Sequence, residues 1–214
     1  MSNVIQTGHV LVTGQASTWQ GLLAAELAYG QMAEGRTLVQ LIDRESERDT
    51  VERQQSLWLR YRGVLPDRVR YRVVIGHPFR EEAELLLAID DELSDSDREA
   101  GLLIFRDMAT HTLPLMPGAP WLRVGNEIAA ILKCPVLTAS HYGTHAALKP
   151  KAQDFKNVRA VWEAVQDFPA TLEPVNGFGA LLKCLTSPGE LRFKATNRTG
   201  LILWNEQQDE RVAS

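Results

Sequence analysis

Cysteine is scarce in this chain: Cys134 and Cys184 are its only two thiols in 214 residues. That excludes a disulfide-framed scaffold. Neither thiol has a second ligand at metal-binding spacing, so both are expected to be reduced and buried. His141 and His145 stand four apart, but Gly143 lies between them and no third ligand follows, so no metal is expected. No apolar run approaches the roughly 20 residues of a membrane helix. Met1 to Gln6 has neither the basic start nor the apolar stretch of a secretory leader, and a cytoplasmic protein without membrane contact is expected. No repeat or low-complexity tract occurs. Positive charge is not in excess either: 23 Lys and Arg against 27 Asp and Glu give a net charge of −4. This excludes a general nucleic-acid or membrane coat, though not a local basic groove.

What is present is an ordinary globular composition, 44% hydrophobic and 23% charged. The length fits one domain, placed at residues 1–205, with a polar tail at 206–214. Short runs rich in Val, Ile and Leu alternate with helical patterns. Strands are expected at Val10–Thr13, Thr37–Ile42, Tyr71–Ile75, Gly101–Phe105 and Pro135–Ser140. Helices are expected over about Trp19–Glu34, Arg48–Arg62, Arg80–Leu93 and Trp121–Lys133. Continuous apolar strands separated by helices predict an α/β fold with a mainly parallel sheet covered on both faces. After Gly143 the pattern changes. Thr144–Asn157 reads as a mobile loop and Val158–Val165 as a short helix. Ala180–Leu185, Leu191–Thr196 and Leu201–Trp204 read as antiparallel strands joined by turns.

The strand before Gly14 and the helix after Gly21 form the scaffold of a phosphate-binding loop, G-x-x-x-x-G-K-[ST]. Counted from Gly14, the second glycine falls on Trp19, the lysine on Gln20 and the hydroxyl residue on Gly21. A helix N-terminus still favours an anion there. No lysine remains to reach the terminal phosphates, no hydroxyl to hold magnesium, and an indole stands where a glycine admits phosphate. No cofactor is therefore expected, and any ATP that binds is not expected to be hydrolysed.

Four further phrases follow in order. They are Ala33-Glu34-Gly35-Arg36-Thr37-Leu38-Val39-Gln40-Leu41-Ile42-Asp43-Arg44-Glu45, Gly101-Leu102-Leu103-Ile104-Phe105-Arg106-Asp107, Val136-Leu137-Thr138-Ala139-Ser140-His141-Tyr142, and Leu191-Arg192-Phe193-Lys194-Ala195-Thr196-Asn197-Arg198-Thr199-Gly200-Leu201. Together with the decayed loop they resemble the RecA-like P-loop ATPase core, in the branch of KaiC, RadA, DnaB-type helicases and the hexameric RepA helicases of plasmids. The resemblance implies that Glu45 stands where a glutamate polarises the attacking water. It implies that the Walker B aspartate is replaced by Arg106 or displaced to Asp107, and that His141 stands at the γ-phosphate sensor. The last phrase resembles a K-N-R-x-G hairpin that carries a cation toward a neighbouring subunit's nucleotide.

Lys149, Lys151, Lys156, Arg159, Arg192, Lys194 and Arg198 gather late in the chain, with Phe155, Trp162 and Phe193 among them. A charged track with stacking aromatics is what single-stranded nucleic acid requires, and ordinary surface charge is the competing reading. Trp58, Trp121 and Trp204 read as core or subunit-interface residues. The run Arg60, Arg62, Arg68, Arg70 and Arg72 reads as pairing with the acidic stretch Glu81–Asp97, or as an interface to an acidic or phosphate partner. Asp107, His111 and Ser140 include a hydrolase-like set of residue types, but Ser140 lacks the G-x-S-x-G context of a nucleophile.

These readings lead to a non-catalytic, RecA-like subunit that assembles with itself or with an active ATPase in DNA replication, recombination or conjugation, with single-stranded nucleic acid as a candidate ligand. The alternatives are an ATP-binding enzyme with an unorthodox loop, or another α/β enzyme using the crevice at the strands' carboxyl ends.

Overall fold

Six parallel strands account for the continuously apolar runs. In a computed structural model, β1 (Gly8–Gly14), β2 (Thr37–Ile42), β3 (Arg70–Ile75), β4 (Leu102–Asp107), β5 (Pro135–Ala139) and β6 (Ala160–Asp167) pair in the order β3-β2-β4-β5-β1-β6. From β6 the sheet continues antiparallel through β7 (Gly179–Cys184), β8 (Glu190–Arg198) and β9 (Leu201–Glu206). The structure describes residues 5, 7–14, 20–76, 81–108, 120–142, 155, 157–167, 179–198 and 201–206, with backbone alone at 166–167, 179–180, 192–198 and 201–206.

β2 and β5 are buried at every position because helices cover both faces. On one face, Leu23, Leu27 and Met32 of α1 (Gln20–Ala33) and Trp58 of α2 (Arg48–Arg62) pack on Val10, Val12, Leu103 and Phe105. On the other, Leu85 and Ile89 of α3 (Glu82–Glu92) and Val124 and Ile128 of α5 (Pro120–Leu132) pack on Val39, Leu41, Ile104 and Val136. Each such side chain, fully buried, contributes about 1.5–3 kcal/mol. The split of helices between faces matters for the site. The chain leaves β1 toward α1 on one face and leaves β4 toward α5 on the other, with β5 between the two strands.

Local chemistry sets the ends of these elements. α2 stops at Gly63, which takes a left-handed φ of 65° and returns its N–H to Leu59 and Arg60. The short helix α4 (Asp95–Glu99), absent from the sequence expectation, is started by a capping box. Ser94 Oγ accepts from the Asp97 N–H, and the Asp97 carboxylate accepts from the Ser94 N–H at 3.0 Å. Arg72 donates to that same carboxylate at 2.8 Å, so this arginine of the run does pair within the acidic stretch.

Three expectations need correction. Val158–Val165 is not a helix: β6 occupies Ala160–Asp167 and pairs with β1 from Val10↔Ala160 to Gly14↔Ala164. The valines at 158, 161 and 165 mimic a helical period, but a β-branched segment beside a central strand gains more from the ladder. Phe155 and Trp162 are buried, in the clusters around Trp121 and Leu182 respectively, and offer no face for base stacking. Cys184 is half-buried rather than buried, while Cys134 is buried as expected, and both are free thiols. The remainder of the expected mobile loop, at 144–154 and 156, lies outside the described residues, as do His111 and His145. Trp58 and Trp121 are core residues. No helix among the described residues is long and apolar enough to cross a membrane, and none of their His, Cys, Asp and Glu residues form a group able to hold a metal.

Candidate functional site

Strand parity decides which acid faces the phosphate loop. Along β4, Leu103 and Phe105 belong to the α1 face and Leu102 and Ile104 to the α3/α5 face. Asp107 therefore shares the α1 face, and Arg106 the opposite one. A Cβ built on Gly21, in the first turn of α1, would lie 2.7 Å from Asp107 Oδ2 and 3.1 Å from Oδ1. The carboxylate is thus in contact with the start of α1, the positive end of the helix. Its charge, after burial itself, also raises the pKa of the Tyr29 hydroxyl. Gly14 ends β1, Gln20 is buried, and Trp19 lies outside the described residues.

Arg106 is buried and donates to the Gly76 carbonyl, with Asp43 Oδ1 3.7 Å away. Burial lowers its pKa to about 10, so it stays protonated at neutral pH and ties the ends of β2, β3 and β4 together. Glu45 opens a 3-10 turn and holds Arg48 in two hydrogen bonds, at 2.6 and 3.1 Å. Those bonds draw its pKa below the usual carboxylate value. The pocket of about 320 Å³ beside β2 is lined instead by Gln40, Asp43, Ser46, Glu47, Thr50 and Asp107. Gln40 Oε1 accepts from Tyr71 at 2.9 Å and Tyr29 at 3.4 Å. The resemblance named Glu45, and the structure presents Glu47 to this pocket.

Past β5 the chain stays alongside β1: Ser140 N–H donates to Val12 and Tyr142 N–H to Gly14. His141 is buried, and Tyr142 donates to Glu163 Oε1 at 3.0 Å. Burial first, and Glu163 second, push the Tyr142 pKa up to about 12. Ser140 is fully buried, so its hydroxyl is not presented as a nucleophile.

Of the basic residues, Lys149, Lys151 and Lys156 lie outside the described residues. Arg192, Lys194 and Arg198 are placed by backbone along β8, at Leu181↔Arg192, Gly179↔Lys194 and Arg198↔Leu201. Arg159 lies at the amino ends of the strands, away from Asp107: its N–H donates to the His9 carbonyl and its side chain packs against Gly8.

A second polar cluster at that end escaped the sequence reading. His9, buried on the α5 face, bonds Asn126 Oδ1 through Nδ1 at 3.0 Å and Thr138 Oγ1 through Nε2 at 2.9 Å. Gly125 makes room for the ring: a Cβ there would meet Cε1 at 2.5 Å. A glycine inside an otherwise sound helix was the available signal. Burial lowers the His9 pKa to about 4. The unfolded chain, titrating near 6.5, then binds the extra proton between these values, so stability is full above about pH 6.5 and falls as pH drops toward 4. Urea unfolding at pH 7.5 and 5 is expected to differ by about 2 kcal/mol from this group. The pH slope should flatten in His9→Gln. An equal slope in that variant assigns the acid sensitivity elsewhere.

No family profile and no curated protein sequence matches the chain. Solved structures match it in shape. One solved ATPase domain superposes with a TM-score of 0.54 at 9% identity, over 93% of this chain and 85% of that one. A DnaB-like replicative helicase gives 0.57 at 10% identity, over 94% of this chain and 59% of that one, so the chain spans little more than half of the helicase's length. The flagellar accessory protein FlaH from Methanocaldococcus jannaschii gives 0.51 at 13% identity, over 94% and 91%. Identities this low carry the fold alone. That fold is the RecA-like one, as the order of motifs implied.

Proposed function

We propose that this RecA-like chain is a subunit that does not hydrolyse nucleotide and acts by assembly, with itself or with an active ATPase of DNA replication, recombination or conjugation. The observation that carries the reading is the contact between Asp107 and Gly21. A magnesium-holding serine or threonine at position 21 would set its Cβ 2.7 Å from a carboxylate oxygen. With Asp107 in this position the space between β4 and α1 suits a glycine, and the family's hydroxyl residue would require the carboxylate to swing aside. A phosphate entering beside α1 meets the negative charge of Asp107, at about 3 kcal/mol per unit charge for a separation of about 5 Å and an effective dielectric near 20. Gln20 brings no positive charge to offset it. A fold that loses its chemistry keeps its flanks for assembly.

Assembly is tested by light scattering of the purified protein with and without ATP and single-stranded DNA. The expected result is a discrete oligomer indifferent to ATP. It should bind single-stranded DNA weakly, with a steep salt dependence that flattens when Lys149, Lys151 and Lys156 are changed together to alanine. Trp204→Ala is expected to dissociate the oligomer without unfolding the protomer. A monomer at about tens of micromolar overturns self-assembly. Assembly that requires ATP favours the ATP-binding enzyme instead.

A further inference from the structure

At the amino ends of the strands, away from Asp107, lies an open cavity of about 510 Å³. Its walls come from the start of β1, the last turns of α5 and the segment leading into β6. Thr7, Asn126, Lys133, Asn157 and Arg159 supply its polar side chains around the buried His9, and Ala129, Ala130 and Val158 an apolar side. Among the described residues no carboxylate lines it, on a chain with more acids than bases. The volume falls within the range of about 300–1,000 Å³ typical of small-molecule sites.

The donors are arranged by the surrounding structure. Since Asn126 presents its oxygen to His9 Nδ1, the histidine proton resides there and the Thr138 hydroxyl donates to Nε2. The amide NH2 of Asn126 is thereby turned from the ring and left to donate elsewhere. Gly8, at φ 114°, lets the 157–159 segment pass close, with a built Cβ only 3.1 Å from Arg159 Cβ. Lys133 is the one non-glycine among the described residues with positive φ, at 50°. A glycine or asparagine would take that conformation at less cost. The cation of a lysine at a helix end complements the dipole, but that benefit is available at any residue of the last turn. It does not explain a lysine in the strained position.

We infer that this cavity is a binding site for a small phosphate-bearing metabolite, held between Lys133 and Arg159 with the Asn126 amide as a third donor and its organic part against Ala129, Ala130 and Val158. A guanidinium fork and a point-charged ammonium together suit a dianionic phosphate. The site is independent of the retired nucleotide loop, at the opposite ends of the strands, and stands whether or not ATP is hydrolysed.

The test uses the full chain and inorganic pyrophosphate as the probe, followed by calorimetry and by amide chemical shifts at low salt. Saturable binding is expected below about 10 mM, an affinity of only a few kcal/mol. Shifts should concentrate at Gly8, Asn126, Lys133 and Arg159. Lys133→Gly is the decisive variant, because it relieves the backbone and should hold or raise the melting temperature while weakening pyrophosphate at least about tenfold, or 1.4 kcal/mol. Arg159→Gln should weaken it comparably. No saturation by the wild type, or equal binding by a folded Lys133→Gly, overturns the proposal. So does a single-stranded oligonucleotide that shifts the same amides while pyrophosphate does not compete, since the cavity is then part of a nucleic-acid track.

Discussion

Glu26→Ala is expected to destabilise the protein by about 3 kcal/mol, the low end for removing one partner of a buried ion pair, because Arg62 is only half-buried. Glu26 is 3% exposed on the α2 side of α1. Its carboxylate accepts the Trp58 indole N–H at 2.6 Å and pairs with Arg62. The guanidinium in turn lies over the Trp58 ring, 5.4 Å from its centroid, and Tyr29 meets the same indole edge-on. Truncating Glu26 leaves an indole N–H buried without its acceptor and an arginine beside an aromatic ring without its counter-charge. Glu26→Gln retains an acceptor for the indole and should cost less, about 1.5–3 kcal/mol for the charged hydrogen bonds it gives up. Urea midpoints at unchanged slope measure both. A loss below about 1 kcal/mol in Glu26→Ala would place this cluster among exposed pairs and remove its role. The consequence reaches the site, because this cluster anchors α1 to α2, and α1 presents Gly21 to Asp107.

Rebuilding the phosphate loop should fail as chemistry and cost stability. Gln20→Lys with Gly21→Ser restores two residue types of the motif, yet the new Cβ falls 2.7 Å from Asp107 Oδ2. Overpacking costs about 1–3 kcal/mol, and the low end applies here because the atoms met are the tip of one side chain that can turn aside. Adding Asp107→Ala should recover most of that loss, since the collision is with this side chain alone among the atoms nearest Gly21. Turnover should stay absent in both variants. Trp19 still stands where the motif's second glycine admits phosphate, so the restored lysine and hydroxyl have no phosphate to hold. Measurable ATP turnover in the double variant would show that the Gly21–Asp107 contact yields easily and that the loop was the sole deficiency.

The periodic segments were readable from sequence because their signals agree across levels. Thr37–Ile42 and Arg48–Arg62 are found at their expected bounds, the first a continuous apolar run, the second closed by Gly63. Segments with mixed signals were misread. Val158–Val165 carries a helical spacing on strand-forming residues, and its partner β1 lies far away in sequence, so local pattern could not settle it. α4 spans only five residues, and its Ser94–Asp97 box was visible but too short to register as a periodic element. At the site, the sequence left Arg106 and Asp107 as rivals, since their rank depends on which face of β4 each occupies. His9 offered no local cue. Its partners are Asn126 and Thr138, brought together only by α5 and β5.

Phosphate release from ATP and magnesium by the purified chain, with and without single-stranded DNA, tests the central claim that the RecA-like fold persists here while its hydrolytic site is closed. Release indistinguishable from buffer in both conditions is the predicted result. Turnover above about 1 per second, the ordinary range for phosphoryl-transfer enzymes, would contradict it.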